Sequence, residues 1–261
     1  MHVKKPYVIQ ISDTHLFEDP TAQLWGVAPD QHLDRVVDSL CATAPEPEFV
    51  LVTGDCSADG SIASYRRLAD KLARLKAPAY YLPGNHDDAA LMAQMLMERA
   101  LDKEKLCFAF AGLGWRVIML DSSVRGEDGG CIGNAQREWL RNALASDPLT
   151  PVIIAVHHNP LPVGSLWLDT MTISDGAALL AILDTAPQVK AVLFGHVHQE
   201  FEEYRDSTLY ASVPSTFFQF KPRSKEFGRD DGRADGARLL RLAVDKVQTA
   251  VVRVGAPVPA L

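Results

Sequence analysis

Six of the chain's eight histidines stand beside an acid, an amide or a glycine. They occur as Asp13-Thr14-His15, as Pro83-Gly84-Asn85-His86-Asp87, as His157-His158 and as Gly195-His196-Val197-His198. A further acid, Asp55, follows Gly54. Imidazole, carboxylate and a side-chain amide in one set suit iron, manganese or zinc better than calcium or magnesium alone. Asp-x-His and His-x-His put alternate side chains on the same side of an extended backbone, so each pair can chelate one ion. His2 and His32 stand apart from these groups.

Each group follows a short apolar run that reads as a strand: 6–11, 49–53, 80–82, 152–156 and 189–194. Open α/β sheets bind ligands beyond the carboxyl ends of their strands, so five such ends predict one convergent cluster. Gly54, Gly84 and Gly195 are expected to permit tight turns just before the ligands. Helical patterns fall at 30–44, where Leu33, Val36, Val37 and Leu40 share a face, and at 61–75, with Ser61 as N-cap. Others fall at 89–101, 134–145 and 175–183. Strands are expected at 106–110 and 115–120. Beyond His198 come five closely spaced strand candidates: 201–204, 209–212, 216–220, 238–243 and 247–252. Alternating β and α followed by mostly β predicts α/β layers, completed by antiparallel C-terminal strands. No Gly/Ser/Pro-rich linker divides the chain, so one domain over 1–261 is expected. The charged stretch 223–236 is expected to be a surface loop, with a flap beside the site or a subunit contact as alternatives.

Hydrophobic residues make up 47% of the 261 and charged residues 23%, ordinary for a globular protein. The net charge of −7 disfavours non-specific binding to nucleic acid or an anionic membrane. No apolar run approaches the roughly 18–20 residues of a membrane span, and the start lacks a signal-peptide core. Four cysteines without zinc-finger spacing read as reduced thiols, so a cytoplasmic protein is expected.

The ordered series Asp13-x-His15, Gly54-Asp55, Gly84-Asn85-His86-Asp87, His157 and Gly195-His196-x-His198 resembles the calcineurin-like metallophosphoesterases. A narrower resemblance covers nearly the whole chain. The stretches SDTHLF (12–17), GDCSADGSIASY (54–65), YLPGNHDD (81–88), HHNPLPVGSLWLD (157–169), GHVHQE (195–200) and STFFQFKPRSKEF (215–227) are similar to the bacterial class III 3′,5′-cyclic-AMP phosphodiesterases. Two positions depart from that pattern. Asn159 stands where a third histidine is common, with a possible effect on substrate preference, and Cys56 stands where an aliphatic is usual.

The resemblance implies a four-layer α/β/β/α sandwich of two mixed sheets flanked by helices. It implies two metal ions per chain, iron and/or manganese with zinc as an alternative. Asp13, His15 and His198 would hold one, Asn85, His157 and His196 the other, and Asp55 would bridge them. It implies hydrolysis of 3′,5′-cyclic AMP to 5′-AMP by in-line attack of a metal-bridging hydroxide. His15, Asp55, Asn85, His86 and His198 would contact the substrate, with His86 the catalytic donor to the leaving oxygen. Asp87 would orient His86, or else cap the helix at 89–101. Alternatives are a broader phosphodiesterase acting on glycerophosphodiesters and, more remotely, a non-catalytic scaffold. The expected partner is a small cyclic nucleotide or phosphodiester, with no nucleic acid and no membrane; a homodimer is left open. His158 is either a supporting donor or a buried polar residue. Trp167, Phe217 and Phe218 are candidates to stack on a base, with core packing the plainer role. Lys221 and Arg223 are expected at the surface, with a phosphate contact as the alternative. The global charge of −7 argues against an anionic substrate only until two divalent ions are counted. They turn the local charge to about +1 at the reacting phosphate.

Overall fold

The computed structural model describes residues 7–44, 46–97, 105–259 and 261. Position 6 of the expected first strand, 98–101 of the expected third helix, and His2 lie outside them. The first half alternates strand and helix: β1 (Tyr7–Ile11), α1 (Pro29–Thr43), β2 (Pro47–Thr53), α2 (Ile62–Ala73), β3 (Ala79–Leu82) and α3 (Ala89–Met97). Then come β4 (Phe108–Gly112), β5 (Trp115–Leu120), α4 (Asn134–Ser146), β6 (Val152–Val156), α5 (Gly176–Leu183) and β7 (Val189–Phe194). Four strands close the chain: β8 (Glu202–Arg205), β9 (Thr208–Ser212), β10 (Gly236–Leu242) and β11 (Val247–Arg253).

Local chemistry accounts for the helix ends. Pro29 starts α1, where its missing N–H costs nothing, and Asp30 sits in the first turn against the positive helix end. Ser61 caps α2 by accepting from Ser64 N at 3.2 Å. At α3 the cap is Asp88, whose Oδ1 accepts from Ala90 N and Leu91 N at 3.1 and 3.0 Å. The capping alternative for Asp87 is thereby corrected.

The strands form two mixed sheets, ordered β11-β10-β1-β2-β3 and β4-β5-β6-β7-β9-β8. β1, β2 and β3 run parallel, as do β5, β6, β7 and β9. Side-chain alternation sorts the core into three apolar layers. Val8, Leu51 and Leu240 of one sheet meet Val117, Ile153 and Leu193 of the other between the sheets. The opposite faces take the helices: Ile9 and Val52 lie with α1 and α2, and Ile154 and Val192 with α4 and α5. The result is helices, sheet, sheet, helices.

Two sequence expectations fail here. The C-terminal strands are not all antiparallel: β9 runs parallel to β7 and extends the second sheet with β8, while β10 and β11 complete the first in antiparallel pairs. Residues 216–220 are not a strand, because local polar groups take over the backbone. Ser215 Oγ accepts from Phe217 N at 3.2 Å, and Gln219 Nε2 donates to Ser215 O at 2.8 Å. Only Phe220 forms an isolated bridge, to Arg229.

Candidate active site

The loops carrying the chemistry leave the carboxyl ends of β1, β2, β3, β6 and β7 and meet across the seam between the sheets. Backbone bonds continue the ladders past the strands: Asp13 N donates to Gly54 O, and His15 N to Asp55 O, both at 2.9 Å. Gly195 N donates to His157 O at 3.0 Å. Asp13, His15, Asp55, His157, His196 and His198 are all buried.

The donor atoms of Asp13, His15 and His198 lie within 4.8 Å of one another, and so do those of Asp13, Asp55 and His157. Two further such groups are His15, Asp55 and His86, and His157, His158 and His196. Asn85 joins on the His157 side, its Oδ1 3.2 Å from His157 Nε2. The structure therefore brings all seven expected metal donors together, with Asp55 common to both sides.

Hydrogen bonds fix which nitrogen each ring presents. His157 Nδ1–H donates to Thr53 O at 2.8 Å, and His198 Nδ1–H to Phe218 O at 3.1 Å. A carbonyl only accepts, so both Nδ1 atoms carry hydrogen and both Nε2 atoms are the ones that face the centre. His15 Nε2 and His198 Nε2 face each other at 3.3 Å, and His196 Nε2 is buried without a partner. Buried imidazole nitrogens and two carboxylates converging on one point fit a cation, which would displace the proton that Asp55 favours on His157 Nε2, and the donors suit iron, manganese or zinc. His158 is different. Its Nε2–H donates to the Asp128 carbonyl at 3.2 Å and its Nδ1 sits 2.8 Å from Ser122 Oγ, so neither nitrogen is free to ligate.

Electrostatics divide the rings. Burial presses His15 and His196 down to about 3 each, keeping both rings neutral, as ligands must be. Burial also opposes charge on His157, but the Asp55 charge and hydrogen bond outweigh it and hold that ring at about 9. Burial alone would raise Asp13 and Asp55; His198 and His157 respectively keep both carboxyls below their ordinary range.

The backbone at the site is unusual. Asp13, His15, Asp55, His196 and His198 all have left-handed φ, between 45° and 66°. Such residues cost roughly 1–3 kcal/mol each and persist where surrounding structure over-determines them, often at functional sites. The glycines serve less for turning than for space. Of Gly54, Gly84 and Gly195, only Gly54 has positive φ, at 99°. A Cβ at Gly84 would lie 2.1 Å from Asp55 Oδ1, and one at Gly195 would lie 2.0 Å from Ser12 Oγ.

Asp87 does not orient His86, contrary to expectation. Its carboxylate accepts from Gly84 N (2.9 Å), Cys56 N (3.0 Å), Ser57 N (2.9 Å) and Tyr65 OH (3.1 Å). It therefore ties the loop after β2 to the loop after β3. Burial, then the nearby Asp55 charge, push its carboxyl up to about 6. His86 is exposed, anchored by its backbone N–H to Asp55 Oδ1 at 3.0 Å, with its ring edge-on to His15. Asn159 is turned away from the site: its Nδ2 donates to Leu161 O at 2.8 Å.

Above the donors opens a cleft of about 570 Å³. His15, Asp55, Asn85, His86 and His198 all line it, together with His196. Trp167 and Phe218 line it as well, whereas Phe217 packs beneath, 5.2 Å from the His15 ring. Lys221 and Arg223 do not reach it. Trp25 and Phe227 complete the wall, so 223–236 is no mere surface excursion. The signal for Trp25 was a tryptophan in a stretch with no helical or strand period, where no core position requires one.

Fold and site together define a metal-dependent phosphoesterase, and the calcineurin-like phosphoesterase family model matches residues 6–200. The chain belongs to that family. It is 36% identical over 249 residues to the 3′,5′-cyclic adenosine monophosphate phosphodiesterase CpdA of Pseudomonas aeruginosa, covering 95% of this chain and 89% of that protein. It is 37% identical over 250 residues to a 3′,5′-cyclic-nucleotide phosphodiesterase of Nostoc, covering 95% and 92%. Among solved structures, a dimetal phosphatase from Danio rerio superposes with a TM-score of 0.69, over 96% of this chain and 99% of that one, at 12% identity. That likeness concerns the fold. Among the described residues no helix is long and apolar enough to cross a membrane.

Proposed function

We propose that this chain hydrolyses 3′,5′-cyclic AMP to 5′-AMP, as a single domain, with two ions drawn from iron and manganese. The observation that carries the reading is the complete set of seven converging donors at the floor of one cleft. It is joined to 36–37% identity, along nearly the whole chain, with cyclic-nucleotide phosphodiesterases. Asp13, His15 and His198 would hold one ion and Asn85, His157 and His196 the other, with Asp55 shared. When bound, such ions lower the pKa of water and offset charge on the phosphate oxygens.

The chain's own residues do the rest. Asp55 receives the His86 backbone N–H and so fixes the loop that carries the donor. His86, at the cleft surface, gives its proton to the 3′-oxygen as the P–O3′ bond breaks and a water oxygen bonds to phosphorus. Asn85 has its Oδ1 at His157 and offers its amide N–H to a phosphate oxygen. The water supplies the new phosphate oxygen and two protons: one restores His86 after its own has gone to the 3′-oxygen, and the other leaves to solvent from the new phosphate monoester, so the atoms balance. Among the described residues no disulfide joins the four cysteines, in keeping with a cytoplasmic enzyme.

The test is product analysis of the manganese-reconstituted protein with cyclic AMP, cyclic GMP and glycerophosphocholine. We expect 5′-AMP as the product and cyclic AMP to outpace the glycerol diester. Comparable or faster turnover of glycerophosphocholine overturns the reading.

A further inference from the structure

The cleft has two chemically different sides, and the metal donors explain only one. The other is aromatic: Trp25, Trp167, Phe218, Phe220 and Phe227. Their rings meet edge to face, Trp25 with Phe227 at 5.0 Å and with Phe218 at 5.1 Å, and Trp167 with Phe220 at 4.8 Å. Each such contact covers a face of one ring, and Phe220 is stacked on His198 at 4.4 Å, so the surface left for a flat guest is on the outer rings. Trp25 and Phe227 remain 54% and 51% exposed although both line the cleft. Core packing does not account for large aromatic side chains left so open.

The wall is prebuilt. Arg229 donates to Trp25 O at 2.7 Å, Leu166 N to Ser224 O at 2.9 Å, and Lys221 N to Gly228 O at 2.7 Å, so three loops are laced together. The Trp167 indole Nε1–H is buried without an acceptor. A buried donor left unmade is costly, and a guest that brings an acceptor recovers that cost. An alkyl chain brings none; a purine brings ring nitrogens.

We infer that Trp25 and Phe227, in contact with each other, form the outer platform of a nucleobase site on which the base stacks, with Trp167 supplying a hydrogen bond to a purine nitrogen. Specificity for a nucleotide over an aliphatic diester then resides in this wall, since the metal side serves any phosphate ester. The inference rests on the cyclic-nucleotide reading and deepens it.

The experiment titrates the manganese-loaded protein with 5′-AMP and with ribose 5-phosphate by calorimetry. Wild type is expected to bind 5′-AMP the more tightly. Trp25→Ala and Phe227→Ala should each weaken 5′-AMP by at least about fivefold while leaving ribose 5-phosphate and metal content unchanged. Trp25→Phe should restore most of the loss. Equal weakening of both ligands, or of neither, overturns the stacking platform, as does tighter binding of octyl phosphate than of 5′-AMP. Trp167→Phe keeps the ring and removes the donor; unchanged 5′-AMP affinity refutes the hydrogen bond. The two readings fail separately. Turnover of cyclic AMP by wild type with unaltered binding in the variants removes the stacking platform alone. Trp25-dependent preference for 5′-AMP without cyclic AMP turnover removes the proposed reaction alone.

Discussion

Asp87→Asn separates two roles for one carboxylate. In the structure both oxygens accept: Oδ2 from Gly84 N and Cys56 N, Oδ1 from Ser57 N and Tyr65 OH. An amide keeps one accepting oxygen and presents an NH₂ where the other was, so either flip leaves two donors facing a donor. Hydrogen bonds to a charged group contribute about 1.5–3 kcal/mol each, so two lost bonds cost about 3–6 kcal/mol, toward the lower end because the four share one carboxylate. For a chain of this size 1 kcal/mol shifts Tm by about 2–4 °C, so a fall of about 6–12 °C is expected. The same bonds hold the loops of Asp55 and Asn85 in register, so metal content should fall in parallel. Differential scanning calorimetry and metal analysis by mass spectrometry measure both. A variant with native Tm and full metal content but reduced kcat would refute this reasoning and restore Asp87 as the positioner of His86.

Three other outcomes are expected. His86→Ala should keep its metals and lose kcat by about 10²–10⁴-fold, the usual worth of general acid catalysis; loss of metal in steady-state samples would show that His86 is a ligand instead. Gly195→Ala sets a Cβ 2.0 Å from Ser12 Oγ and 2.9 Å from Asp13 Oδ2, so it should cost about 1–3 kcal/mol and weaken metal binding. Native denaturation and metal content there would mean that the loop relaxes freely. Arg238 is buried between the sheets, donating to Ser212 O at 2.8 Å and to Thr249 Oγ1 at 2.9 Å and pairing with Glu202. Arg238→Ala should lower urea-unfolding stability by about 3 kcal/mol, less than a fully buried pair because Glu202 is 42% exposed; an unchanged midpoint would contradict that.

Much of the fold was legible because apolar period and turn residues are local signals. β6 and β7 fall on the expected 152–156 and 189–194, and α2 begins just after its Ser61 cap. The run 216–220 misled because its alternating bulk resembles a strand, while Ser215 competes for the backbone with bonds that composition does not reveal. Asp87 misled because adjacency to His86 implied contact, whereas successive residues in a turn point apart.

Sequence alone determined which seven side chains end the strands and in what order, since a strand's end is marked within a few residues. It also implied the metals they suit. Tertiary structure decided what depends on partners far along the chain. It placed β10 beside β1, and set the His157 tautomer through Thr53 O, 104 residues away. It forced Asp13, His15, Asp55, His196 and His198 into left-handed backbone, and it gathered Trp25 and Phe227 from opposite ends of the sequence onto one wall. No short-range pattern encodes these, because each is fixed by a neighbour that only folding supplies.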